Sequence, residues 1–115
     1  MKYTGACHCK KVNFEVETEL ERVISCNCSY CHIRGLLLTF IPIEKFMLLS
    51  GEDNLVSYKF NKKAIDHLFC KMCGVESFAR GEDKEGKKMV AINVRCLESV
   101  DIEKLTLTKV NGKDW

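Results

Sequence analysis

The sequence predicts a mainly β fold. Two observations carry this. Several segments alternate apolar and polar residues with period two. Helix signals are few and short. Apart from the fold, seven of the eight cysteines fall into three tight groups, Cys7 and Cys9, then Cys26, Cys28 and Cys31, then Cys70 and Cys73.

Residues 11–17 alternate cleanly, with Val12, Phe14 and Val16 on one face against Asn13, Glu15 and Glu17. Residues 36–41 form a continuous apolar run, which suits a strand covered on both sides. Residues 55–60 place Val56, Tyr58 and Phe60 together, and residues 65–69 set Ile65, His67 and Phe69 against Asp66 and Leu68. Residues 90–96 place Val90, Ile92, Val94 and Cys96 on one face, a half-buried strand that aims Cys96 into the core as a small apolar residue. Residues 106–110 are a weaker strand candidate. Residues 81–86, with glycine at both ends, read as a turn. Two short helical turns are expected, one opened by Pro42 over residues 42–46 and one over residues 102–105 with Asp101 as cap.

The 115 residues read as one domain, residues 1–115, with 46% apolar residues and a formal net charge of +2. A chain of this size gains from a staple. Near-neutral charge does not favour an electrostatically driven nucleic-acid binder. The N-terminal Met-Lys-Tyr-Thr-Gly-Ala-Cys lacks the apolar centre of a secretion signal. The longest apolar run, residues 35–43, is interrupted by Thr39 and Pro42 and is far below the ~20 residues that span a bilayer. A cytoplasmic, non-membrane protein is expected. A reducing compartment leaves the thiols free for metal.

Thiolates at gaps of one and two residues suit tetrahedral zinc. Seven divides into four, which close a structural site, and three, which leave a position open. Cys70-Lys71-Met72-Cys73-Gly74 reads as a knuckle, with Gly74 free to take the positive φ that turns N–H groups toward the sulfurs. A knuckle supplies two ligands, and Cys7-His8-Cys9 is its natural partner. In a flat strand, residues two apart lie about 6.5 to 7 Å apart, so the chain must bend at this pair. Gly5 stands just before it. Cys26, Cys28 and Cys31 form a local claw. His32 is the nearest candidate for a fourth ligand, in a cramped position beside Cys31. His8 points away from its neighbours' metal, and His67, among apolar strand residues, reads as a satisfied core histidine.

Two rival readings fit the sequence less well. A Cys-x-x-Cys redox pair sits at a helix N-terminus in a βαβ setting, and neither pair here precedes a convincing amphipathic helix. A zinc module for nucleic acid or protein would use basic spots such as Lys59, Lys62 and Lys63, or Lys87 and Lys88; acidic residues neighbour the second, and neither interleaves aromatics in a recognisable way.

Gly5-x-Cys7-His8-Cys9, Val12-x-Phe14, Cys26-Asn27-Cys28-Ser29-x-Cys31 and Phe69-Cys70-x-x-Cys73-Gly74 together resemble the glutathione-dependent formaldehyde-activating enzyme family, whose domain also occurs in centromere protein V. Asn93-x-Arg95-Cys96-Leu97 and the terminal Asn111-Gly112-Lys113-Asp114-Trp115 resemble the family's endings. The resemblance runs from residue 5 to the C-terminus. It implies stacked antiparallel sheets, tent-like and related to zinc ribbons. It implies one structural zinc on Cys7, Cys9, Cys70 and Cys73, and a second on Cys26, Cys28 and Cys31. It implies a carbon–sulfur lyase that condenses glutathione with formaldehyde to S-(hydroxymethyl)glutathione, or acts on a related small thiol adduct. The alternative is a non-catalytic zinc module for protein or nucleic-acid contacts. Three thiolates make a bound zinc electron-rich, which favours delivery of a thiolate over Lewis acidity. Arg34 is the basic residue nearest the claw in sequence, and a glutathione carboxylate would call for one. No catalytic side chain is assigned.

Overall fold

The computed structural model describes residues 1–59 and 65–111. In chain order its strands are β1 (Lys2–Ala6), β2 (Asn13–Glu17), β3 (Val23–Cys26), β4 (Leu38–Pro42), β5 (Phe46–Ser50), β6 (Leu55–Tyr58), β7 (Asp66–Cys70), β8 (Glu76–Glu82), β9 (Lys88–Asn93) and β10 (Leu107–Val110), with one short α-helix, α1 (Ser29–Arg34). They form a three-stranded sheet, ordered β1-β2-β5, and a seven-stranded sheet, ordered β10-β3-β4-β9-β8-β7-β6. The mainly β expectation holds. Among the described pairs, β10 and β3 run parallel, and the others are antiparallel.

The period-two segment at 11–17 behaves as its pattern dictates. Val12, Phe14 and Val16 are buried on one face. Phe14 and Phe46 of the small sheet meet Phe78 of the large one, at ring-centroid distances of 5.9 and 4.7 Å. That contact joins the sheets. Gly5 faces Phe14 across β1 and β2, and a Cβ there would lie 2.4 Å from the Phe14 ring. Its smallness therefore serves packing rather than the bend before Cys7.

The large sheet is covered on both faces at its centre. Val90, Ile92 and Phe78 face the small sheet within the main core. Ala79 and Ala91 face the other way, toward Cys31, Leu36 and Leu38. Residues 90–96 are thus not a half-buried strand. β9 ends at Asn93, and Val94–Cys96 is a 3₁₀ turn capped by the Asn93 side chain. Asn93, expected on the outer face, is buried because its Nδ2 donates to Glu76 O at 2.9 Å and its Oδ1 accepts from Arg95 N at 3.2 Å.

Elsewhere the boundaries shift. The apolar run 36–41 becomes β4 only from Leu38, and Phe40 is exposed. α1 is six residues long, about 9 Å at the helical rise. β6 ends at Tyr58, and Phe60 lies outside the described residues, as do Lys62, Lys63 and residues 112–115. Ile65 is exposed and precedes β7. The two expected helical turns are 3₁₀ turns, Ile43–Lys45 after Pro42 and Ile102–Lys104, where Asp101 accepts from Glu103 N at 3.1 Å. No helix among the described residues is long and apolar enough to cross a membrane.

Candidate metal centres

The first cluster gathers the ends of two hairpin segments. After β1 the chain turns sharply: Lys10 N donates to Cys7 O at 3.2 Å, and Cys7 N to Val12 O at 3.1 Å. Lys10 sits at φ +69°. The bend required of a Cys-x-Cys pair is therefore made by this turn. At the other end, Cys70 closes β7, and Gly74, at φ +79°, donates its N–H to Cys70 O at 2.7 Å. Val12 N and Met72 N each point at a cysteine sulfur, Cys7 Sγ and Cys70 Sγ, both at 3.4 Å. Backbone donors aimed at sulfur favour the thiolate that a metal needs.

The four sulfurs of Cys7, Cys9, Cys70 and Cys73 all lie within 4.8 Å of one another. Cys9 Sγ is 3.6 Å from both Cys7 Sγ and Cys70 Sγ. Two sulfurs on a tetrahedral zinc stand about 3.8 Å apart, given Zn–S near 2.3 Å. The donor set and its spacing fit a four-thiolate zinc site. Burial pushes the Cys73 thiol up, but the N–H groups of Cys9 and Val75 and the neighbouring thiols outweigh it and bring Cys73 down to about 6. At Cys9 the Lys11 N–H pulls down, yet desolvation and the thiols of Cys7, Cys70 and Cys73 prevail and push it up to about 11. Four thiols this close compete for the same protons, and a cation relieves that competition.

The second cluster is local. Cys26 ends β3, Cys28 caps α1 and Cys31 lies in its first turn, and their three sulfurs also lie within 4.8 Å of one another. Cys28 Sγ accepts from Cys31 N at 3.3 Å, and Cys28 N donates to Cys26 Sγ at 3.5 Å. Burial opposes ionisation of Cys28, but the N–H groups of Cys31 and Tyr30 and the adjacent thiols hold it below the usual thiol range. Burial, then the Cys28 thiol and its charge, push Cys31 far up. Among the described residues no fourth His, Cys, Asp or Glu ligand atom joins the three. His32 and His8 are exposed and belong to neither cluster.

The sequence reading missed that the Cys28-x-x-Cys31 pair does open a helix. Redox pairs use that geometry, but here a third sulfur stands beside the pair and the helix has only six residues. All eight cysteines are free. Cys96 lies outside both clusters, packed against the main core with its thiol 3.9 Å from Glu76 O.

His67 is a core histidine, as its apolar neighbours suggested, and its partner is Glu76. His67 Nδ1 lies 3.1 Å from Glu76 Oε2, and Tyr30 OH donates to Glu76 Oε1 at 2.5 Å. Tyr30 also packs on the rings of His67 and Tyr58, at 4.1 and 5.4 Å. Burial, then the Glu76 hydrogen bond and charge, hold the Tyr30 hydroxyl well above the usual phenol range. Arg34 spends its guanidinium on Gly74 O, at 2.9 Å, and on the faces of Tyr30 and Phe69. Neither Tyr30 nor Glu76 was singled out from sequence. A lone glutamate between the knuckle and the apolar pair Phe78-Ala79 was the available signal.

A β-rich fold carrying one four-sulfur and one three-sulfur cluster defines a thiol-rich protein able to coordinate metal at two places. Residues 2–109 match the glutathione-dependent formaldehyde-activating enzyme family, and the chain belongs to that family. It is also similar to a protein of Rhodobacter sphaeroides known from a crystal structure, at 27% identity and a TM-score of 0.79, over 91% of this chain and 99% of that one.

Proposed function

We propose that the chain is a zinc-dependent carbon–sulfur lyase-like enzyme acting on a glutathione adduct or a similar small thiol conjugate, with formation of S-(hydroxymethyl)glutathione the first candidate reaction. The supporting observation is the inequality of the clusters. Cys7, Cys9, Cys70 and Cys73 supply a complete ligand set, whereas Cys26, Cys28 and Cys31 supply three sulfurs without a fourth ligand among the described residues. Two zinc ions per chain follow, one structural and one with a position for substrate. Zinc held by three thiolates stabilises an added thiol as its thiolate.

The chain's own residues do the rest. Cys28, held low by the N–H of Cys31, is a ready ligand. Cys31 is buried and packs with Leu36, whereas Cys26 and Cys28 are half-exposed, and it is from their side that a small thiol would approach. Arg34, already engaged by Gly74 O, is a poor carboxylate clamp unless it lets go. The partner is then a small-molecule thiol rather than a membrane or nucleic acid, in a reducing compartment such as the cytoplasm.

The second reading is a non-catalytic zinc module for macromolecular contacts. One observation favours it: Cys31 is buried and packs with Leu36, Leu38, Ala79 and Ala91, which closes one side of the claw. Cobalt-substituted protein separates the two. Under the enzyme reading, glutathione intensifies the sulfur-to-metal charge-transfer band and releases a proton near neutral pH, since free thiols titrate near 8.5. Cys28→Ser abolishes the response, and an analogue lacking the thiol gives none. Formaldehyde is then added and adduct formation compared with the same mixture lacking protein. A spectrum untouched by millimolar glutathione overturns the glutathione assignment and leaves the module.

A further inference from the structure

The three-cysteine claw is moored to the segment that leaves the four-cysteine cluster. Gly74 and Glu76 follow Cys73 by one and three positions, and each holds α1. Arg34 reaches Gly74 O at 2.9 Å, and Tyr30, which lies between Cys28 and Cys31, donates to Glu76 at 2.5 Å. Glu76 is only 2% exposed. A carboxylate so deeply buried is costly unless its oxygens are bonded. Here one oxygen takes Tyr30 and the other faces His67 at 3.1 Å.

The backbone is shaped to bring this about. The β7–β8 register runs Leu68 opposite Phe78, then Phe69 opposite Glu76. Ser77 is therefore an extra residue, a β-bulge. In regular pleating Glu76 would share the face of Phe78, inside the phenylalanine core. The bulge turns it to the face of His67, Phe69 and α1.

We propose that Glu76 is a positioning residue for the claw. Through Tyr30 it holds α1, and with it Cys28 and Cys31, in the arrangement that takes a metal ion. The proposal rests on the reading that both clusters hold zinc.

The test reads metal affinity with no thiol substrate present. Metal-free protein is titrated with cobalt against a chromophoric chelator, and Cys28→Ser, which lacks the claw, identifies the two steps. Tyr30→Phe removes only a hydroxyl. It should weaken the claw step by about 10- to 100-fold, the usual effect of losing a partner that orients a ligand, and leave the four-cysteine step unchanged. Glu76→Gln keeps an acceptor for Tyr30 and should restore most of the affinity that Glu76→Met loses. A claw step in Tyr30→Phe equal to wild type overturns the proposal. So does equal weakening of both steps, or a Gln variant as damaged as Met. A wild type that takes up one ion only overturns it together with the proposed function. Two ions, a weakened claw in Tyr30→Phe and no glutathione response leave the positioning role standing and the enzyme reading lost.

Discussion

The two cysteine clusters use the same ligand chemistry and sit in the fold in opposite ways. The four-cysteine cluster joins Cys9 to Cys70 across 61 positions of chain, and Cys7 and Cys70 are each 1% exposed. The claw is built from six consecutive residues, 26–31, at the end of β3 and the start of α1. A cation in the first ties the β1–β2 hairpin to β7, and so the small sheet to the large one. A cation in the second closes almost no loop. Loop-closure entropy grows with the length closed, so metal at the first cluster stabilises the whole fold and metal at the second stabilises mainly itself. Under the proposed function, stability falls to one site and chemistry to the other.

The largest effect expected of any single change is Cys73→Ser. It leaves a three-sulfur remnant at the cross-chain site and, on the two-zinc proposal, loses the ion that would link the sheets. Losses of a structural metal fall in the exceptional range above about 4 kcal/mol, against a total stability of roughly 5–15 kcal/mol for a domain. The zinc-loaded variant should show a broad, low-temperature melt or none, with metal content reduced. A sharp melt near that of wild type breaks the contrast between the sites.

Cys28→Ser tests the other half. Serine is a good N-cap, and Cys28 occupies the N-cap of α1, accepting from Cys31 N. The substitution therefore removes a metal ligand and keeps the helix start. The protein should retain a cooperative melt, hold one zinc instead of two, and lose roughly 1–3 kcal/mol of stabilisation by bound metal. Elemental analysis paired with calorimetry reads both. An unfolded Cys28→Ser would show that the claw, too, is structural.

The same contrast explains what the sequence could reveal. The cysteine groups were legible because ligand spacing is a local property, and the four-and-three division came from counting. Strand β2 was legible because one face is buried against Phe78 and the other is solvated, which writes period two into residues 11–17. β8 was not legible, since Glu76 and Ser77 are polar and buried. What makes Glu76 tolerable there, Tyr30 and His67, comes from other elements. α1 spans fewer than two turns, too few for a 3.6-residue pattern to appear. β5 exposes Met47 and Leu49 at a sheet edge, so its apolar run follows no simple rule. The parallel pairing of β10 with β3 depends on where the whole chain returns. Residues 90–96 misled in an instructive way. Their alternation continues through Cys96, but Asn93 turns its side chain back to cap Arg95 N and ends the strand.

The smallest effect is expected at Cys96, which sharpens the comparison by standing outside both clusters. Its thiol packs at the edge of the main core near Glu76 O. Cys96→Ser should keep the full zinc content and cost about 1 kcal/mol, the low end for placing a hydroxyl in an apolar site. The pH profile adds a second reading. Burial raises the Cys96 thiol above its ordinary range. The charged form is therefore disfavoured in the folded state relative to the unfolded chain. Its neutral thiol contributes fully to stability below the unfolded pKa, and that contribution is lost as pH rises through the unfolded value toward the raised folded one. In zinc-loaded protein the cluster cysteines are already thiolates, so they do not add to this loss. Stability curves of wild type and Cys96→Ser should run parallel from neutral pH up to the ordinary thiol range. Above it, wild type should fall more steeply and the gap between the two should close. Loss of a zinc ion in Cys96→Ser, or a gap that widens with alkaline pH, would place Cys96 among the ligands instead of the core.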